Sequence, residues 1–68
     1  MLKISLKAAR VNAGLSQKEV ASTLNISNKT LTNWENGKSF PDAAKINALC
    51  HLYQLSYDNI NFLPNNSL

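Results

Sequence analysis

The sequence predicts an all-α fold built from five short helices. Three observations predict this fold: apolar residues recur at helical spacing, good N-cap residues precede most of the helical segments, and Gly and Pro occur only between segments. The 68 residues are enough for one small domain whose hydrophobic core is only just large enough to offset chain entropy. We therefore expect one domain over residues 1–63, followed by a flexible tail over residues 64–68.

Composition narrows the functional classes. The net charge of +3 and the pI of about 9.3 are compatible with a polyanionic partner but do not require one. Cys50 is the single cysteine, so neither an intrachain disulfide nor a cysteine-based zinc site can form, and we expect no cofactor. The sequence contains neither a long apolar run nor a secretory signal, which predicts a cytoplasmic location.

The first helix is predicted over residues 4–13. Leu2, Leu6, Ala9 and Ala13 recur at helical spacing, and Gly14 follows where a helix needs a residue that tolerates positive φ. The segment therefore forms one amphipathic helix that ends at this glycine.

The second helix is predicted to begin at Gln17. Ser16 and Glu19 have the spacing of a capping box, in which each side chain bonds the backbone N–H of the other residue. Asn25 follows the last apolar residue, Leu24, and Asn is a common substitute for Gly in the left-handed conformation. This pattern predicts a tight turn after residue 24.

The third helix is predicted over residues 28–35, with Ser27 as its N-cap. Leu31 and Trp34 are its apolar pair, and the opposite face carries polar residues at spacings of three, four and seven: Lys29, Thr32, Asn33 and Asn36. Helices 2 and 3 and the turn between them thus form a predicted helix-turn-helix motif. The polar face of the third helix suits the major groove of DNA.

The remaining chain is predicted to form a loop and two further helices. The loop covers residues 36–41, and Asp42 is the N-cap of a fourth helix. The inward stripe of that helix is Ile46, Leu49, Cys50 and Tyr53. A short fifth helix is predicted after Ser56, carrying Tyr57, Ile60 and Leu63.

Residues 10–63 resemble the Cro and cI-type (XRE-like) repressor family. The resemblance rests on a combination of residues: Arg10, the segment 14–17, Ala21, Ile26, Ser27, the segment 34–38, Pro41, Leu55 and Ser56. It implies a compact, lambda-repressor-like five-helix domain that binds operator DNA as a symmetric dimer and regulates transcription. It also implies that Arg10 and Glu35 pair across helices 1 and 3. The chain departs from the family pattern at Asn25, where Gly is usual, and at Cys50, where Ala is usual.

The side chains expected to contact DNA fall into two groups. Asn, Lys and Thr near the start of a recognition helix can bond or touch base edges. The base contacts are predicted to be Asn28, Lys29, Thr32 and Asn33. Residues at helix ends and in the following loop can hold the phosphate backbone. The phosphate contacts are predicted to be Gln17, Ser27, Asn36, Lys38 and Ser39.

These features favour a sequence-specific regulator of transcription, and we expect a repressor that acts by occluding a palindromic operator. About four neutralised phosphates per subunit predict a log–log salt slope of about −3.6, doubled for a dimer. A homodimer is expected through the C-terminal helix, whose apolar residues exceed what one small core can hide. Those residues are Tyr57, Ile60, Phe62 and Leu63. The 68 residues leave no room for a sensing domain, so control would come from concentration, a competing repressor or a partner.

An antitoxin or adaptor whose main task is to bind a partner protein is the alternative class. An enzyme finds little support, because the sequence has no paired carboxylates, Cys–His pair with reach or phosphate-binding loop. Trp34 fits the core better than base stacking. Cys50 and His51 point about 100° apart on a helix and the sequence has no second His, which argues against a joint metal site.

Overall fold

The computed structural model describes residues 3–62 of the chain. Within this range, four α-helices are accompanied by a single turn of 3₁₀-helix and a two-stranded parallel sheet. The elements follow the order β1 (Ile4–Ser5), α1 (Leu6–Asn12), α2 (Gln17–Leu24), α3 (Asn28–Glu35), α4 (Ala43–Tyr53), a 3₁₀ turn (Tyr57–Asn59) and β2 (Ile60–Asn61).

The prediction that the first helix begins at residue 4 is wrong. Ile4 and Ser5 form β1, and the Ser5 hydroxyl accepts a hydrogen bond from the backbone N–H of Ala8 at 3.0 Å, which makes Ser5 the N-cap of α1. The end of the helix agrees more closely with the prediction, since Ala13 is its C-cap and Gly14, the next residue, has a φ of +76°.

Side-chain caps set the starts of α2, α3 and α4, as predicted. The capping box of Ser16 and Glu19 is present, with both reciprocal bonds formed. Ser27 and Asp42 cap α3 and α4 through their side-chain oxygens. Asn25 adopts the left-handed conformation with a φ of 58°, so the predicted turn between α2 and α3 is confirmed.

The predicted fifth helix is wrong. After Ser56 the chain makes one 3₁₀ turn and then enters β2, which pairs with β1 in parallel so that Ile4 lies opposite Ile60. The segment from Asn59 to Phe62 alternates polar and apolar residues, a pattern that suits a strand. A partner strand elsewhere in the chain decides between the two structures, because it supplies the backbone hydrogen bonds.

The core also corrects the predicted dimer surface. Ile60 and Phe62 are 2% and 8% exposed and belong to the core, so neither offers the apolar surface that the prediction assigned to it. Tyr57 is 57% exposed and stacks on Phe62 with ring centroids 5.5 Å apart. Leu63 and the predicted tail over residues 64–68 lie outside the described residues.

All four helices contribute to this core. It contains Leu6, Ala9, Val20, Leu24, Leu31, Trp34, Leu49, Tyr53, Ile60 and Phe62. The prediction that Trp34 belongs to the core is therefore confirmed. Ile46 and Cys50, from the predicted stripe of α4, are partly buried against it. None of the helices in the described range has the length and apolar content of a membrane span.

Candidate nucleic-acid interface

Helix α3 has one buried face and one polar face. Leu31 is fully buried and Trp34 is 6% exposed, so these two residues attach the helix to the core. Asn28 and Lys29 are exposed in its first turn, and Thr32 and Asn33 are half-buried one turn later. The four predicted base contacts therefore lie along the part of α3 that is not packed on the core.

The position of α3 relative to α2 is set by a short, well-bonded turn. The backbone N–H of Ile26 donates to the carbonyl of Ala21 at 2.9 Å, which closes the end of α2. Ser27 then accepts bonds at its hydroxyl from the backbone N–H of Thr30 at 3.0 Å, and the two hydroxyl oxygens lie 2.9 Å apart. The Ser27 hydroxyl, a predicted phosphate contact, is therefore engaged in the cap of α3.

Arg10 of α1 and Glu35 of α3 form a buried ion pair. The Arg10 Nε donates to Glu35 Oε2 at 2.7 Å, and the side chains are 11% and 3% exposed. Arg10 Nη1 also donates to the backbone carbonyl of Leu15 at 3.0 Å, at the start of the helix-turn-helix. The pair thus joins the first and third helices and neutralises its own charge, so Arg10 adds little to the positive field outside.

Gln17 extends this pair towards the polar face of α3. Its Nε2 donates to Glu35 Oε1 at 2.9 Å, and its Oε1 accepts from the Thr32 hydroxyl at 3.3 Å. The predicted phosphate contact Gln17 and the predicted base contact Thr32 are therefore bonded to each other. The Gln17 amide carries two hydrogens, so the second remains for an external acceptor such as a phosphate oxygen.

The loop after α3 carries the remaining predicted phosphate contacts. Asn36, Lys38 and Ser39 are all exposed there, and the loop is closed by a bond from the backbone N–H of Lys38 to the carbonyl of Asn33 at 2.9 Å. Lys29 and Lys38 are thus exposed cations at the two ends of the α3 segment, a placement that favours a polyanion.

Tyr53 lies close enough to the ion pair to respond to it. Burial and the Glu35 carboxylate raise the pKa of Tyr53 to about 12, and the Arg10 charge opposes that shift. The Tyr53 hydroxyl is buried and has no hydrogen-bond partner among residues 3–62.

Burial likewise raises the pKa of the Cys50 thiol. No cluster of metal-ligating side chains occurs in the described part of the chain.

No pattern in the sequence predicted the bonds that connect Gln17 to Glu35 and Thr32. These residues are 18 and 15 positions apart, and no periodicity relates them. The same holds for Tyr53, which the pattern placed in the core but not beside the ion pair. A spacing rule detects neighbours on one helix and not contacts between helices.

Residues 4–61 match the profile of a helix-turn-helix domain family, and the chain belongs to this family, of the XRE and Cro type. The family consists of DNA-binding regulators of transcription. Among curated proteins, the HTH-type transcriptional regulator ImmR of Bacillus subtilis (strain 168) is 45% identical over 53 residues, which are 78% of this chain. The chain spans only 42% of the length of that relative.

Proposed function

We propose that this chain binds a specific sequence in double-stranded DNA and represses transcription by occupying its operator. The observation that supports this proposal is the division of α3 into two faces. Leu31 and Trp34 fix one face to the core, while Asn28, Lys29 and Asn33 extend from the other. A helix with this division fits the major groove, which admits one α-helix and presents base edges to it.

The side chains of α3 have distinct roles in the proposed complex. Asn28 and Asn33 are suited to adenine, whose N6 and N7 an amide can bond together, and Lys29 is suited to the O6 and N7 atoms of guanine. Thr32 lies between them and contributes a hydroxyl and a methyl group. Each good bidentate contact discriminates against a wrong base by about 1–3 kcal/mol.

Residues at both ends of α3 set the register of the proposed complex. Gln17, Ser27, Asn36, Lys38 and Ser39 surround the helix and are proposed to hold phosphates. Contacts of this kind add affinity without sequence preference and make binding depend on salt. The bonds of Arg10 and Gln17 with Glu35 support the proposal, because they hold α1, α2 and α3 in one arrangement.

We further propose that two copies bind a palindromic operator, with their recognition helices about 34 Å apart, one turn of B-DNA. Tyr57 is the one described residue of the predicted dimer surface that stays exposed. Sedimentation of the protein alone and with a duplex carrying its site tests this part of the proposal. Two protomers per site are expected, and one protomer per site at saturating concentration would contradict it.

The main experiment is selection of bound sequences from a random duplex pool at two salt concentrations. The wild-type protein is compared with the double variant Lys29→Ala/Asn33→Ala. The matched control is Lys7→Ala/Asn12→Ala, which removes the same two residue types from exposed positions of α1. We expect a motif for the wild type and the control, and none for the variant in α3.

The outcomes separate the two classes of function. A motif that survives in the α3 variant would refute the role of α3. Weak, salt-sensitive binding without a motif in the wild type would refute sequence-specific regulation and favour a module that binds a partner protein. Occlusion is then tested by transcription in vitro: a selected site placed over the promoter is expected to reduce transcript, whereas the same site far upstream is not.

A further inference from the structure

The hydrogen bonds that reach Thr32 begin at a buried charge. Arg10 donates to Glu35, Glu35 accepts from Gln17 at 2.9 Å, and Gln17 accepts from Thr32 at 3.3 Å. The chain of bonds therefore runs from Glu35, whose side chain is 3% exposed, to the hydroxyl of Thr32, a half-buried residue of α3.

The chemistry of Glu35 decides the direction of every bond in this chain. An ionised carboxylate only accepts hydrogen bonds, so the Gln17 amide must turn its NH₂ group towards Glu35 and its carbonyl oxygen towards Thr32. A carbonyl oxygen also only accepts, so the single hydroxyl hydrogen of Thr32 must point inward to Gln17. The lone pairs of the Thr32 oxygen are then what the hydroxyl offers to the outside.

We propose that Gln17 and Glu35 make Thr32 a reader that only accepts hydrogen bonds, so that this position of the operator selects a base with an exocyclic amino group. In the major groove these groups are N6 of adenine and N4 of cytosine. Guanine O6 and N7 and thymine O4 are acceptors and repel the lone pairs of the hydroxyl. Gln17 is here a positioning residue, because it acts on the base through Thr32. The inference rests on the proposed function, since it assumes that α3 lies in the major groove.

The expected base preference at the operator position contacted by Thr32 is small. The bond between Thr32 and Gln17 is long for a hydroxyl donor, whose bonds are usually 2.5–3.0 Å. A single neutral hydrogen bond corresponds to a preference of about 2- to 12-fold. We therefore expect adenine or cytosine to be preferred at this position by a factor within that range.

The experiment combines protein variants with altered bases in a selected operator. Thr32→Val removes the hydroxyl and keeps the shape of the side chain, and Gln17→Met removes the amide and keeps its length. Thr30→Val is the matched control, because the Thr30 hydroxyl faces Ser27 instead. Affinity is measured for all four base pairs at each position, and for duplexes in which purine replaces adenine or pyrimidin-2-one replaces cytosine, which deletes the amino group.

Wild type and Thr30→Val are expected to lose affinity when the amino group is deleted at one position. Thr32→Val is expected to be indifferent to that deletion. In Gln17→Met the Thr32 hydroxyl can rotate and donate, so guanine and thymine are expected to gain relative to adenine and cytosine. A purely structural or phosphate-binding role of Gln17 would instead lower affinity equally for all four base pairs.

Two results would overturn the inference while leaving the proposed function intact. One is a selected motif whose base preferences are the same in wild type, Thr32→Val and Gln17→Met. The other is a preference for guanine or thymine at the position that depends on Thr32. If the wild type selects no motif, the proposed function itself fails and the inference fails with it. Thermal unfolding of each variant shows whether an affinity change reflects the folded protein.

Discussion

Replacing Arg10 by methionine tests the ion pair that joins α1 and α3. Methionine keeps much of the aliphatic length of arginine but removes both bonds to Glu35 and the bond to the Leu15 carbonyl. Glu35, whose side chain is 3% exposed, then keeps a buried charge with Gln17 as its remaining donor. A buried charge without its partner destabilises the folded protein far more than removal of both charges does.

The expected loss is large relative to the stability of the domain. Removing one partner of a buried pair costs about 3–5 kcal/mol. A chain of 68 residues has a total free energy of unfolding of about 3–10 kcal/mol. We therefore expect Arg10→Met to be marginally folded at 25 °C. Because 1 kcal/mol corresponds to about 4–8 °C in a domain of this size, its Tm should fall by at least about 12 °C.

The double variant Arg10→Met/Glu35→Met separates a buried charge from a lost contact. With both charges removed, two groups lose a hydrogen-bond partner, namely the Leu15 carbonyl and the Gln17 amide. The loss at Gln17 is small, because this half-buried side chain can still bond water. We expect the double variant to be more stable than Arg10→Met by about 1–3 kcal/mol.

Urea denaturation followed by circular dichroism at 222 nm provides the free energies of the wild type, both single variants and the double variant. A loss below about 1 kcal/mol in Arg10→Met would refute the reasoning. Effects that simply add in the double variant would refute it as well, because residues in direct contact are expected to couple.

Four further changes have defined outcomes. Tyr53→Phe removes a buried hydroxyl without a partner among the described residues, so stability at pH 7 should rise by about 1 kcal/mol. The pKa of Tyr53 is raised to about 12 in the folded protein, so the wild type should also lose stability as the pH rises from about 10 to about 12. Tyr53→Phe should not show this loss, and thermal unfolding across that pH range measures the difference. Hydrogen bonds from Ser16 lower the pKa of Glu19 in the folded state. The ionised Glu19 side chain therefore stabilises the fold at pH values above the pKa that it has in the unfolded chain, and this stabilisation is lost as the pH falls through its lower pKa in the folded protein. Glu19→Gln should therefore flatten the acid side of the stability curve, and an unchanged curve would contradict this. Asn25→Ala should lower the free energy of unfolding by about 1 kcal/mol, because residue 25 has a φ of 58°, whereas Asn25→Gly should not lower it. Urea denaturation measures both. Lys38→Gln should make the log–log salt slope of DNA binding shallower by about 0.9 per subunit, with equal effects on all sequences.

The sequence by itself determined the middle of this fold and the faces of its helices. The starts of α2, α3 and α4 followed from side chains that bond the backbone three residues further along the chain. The inward position of Leu31 and Trp34 followed from helical spacing, and so did the outward position of Lys29. These features are local, because the groups that decide them lie within one or two helical turns of each other.

Only the tertiary structure decided the ends of the domain and the connections of the site. Ile60 joins a strand because Ile4, 56 residues earlier, offers a backbone edge for it to pair with. Gln17 meets Glu35 and Thr32 because packing of the core brings α2 and α3 together. Such contacts join residues distant in the chain, so neither periodicity nor capping encodes them. They depend on which arrangement of all the helices buries the apolar faces at once.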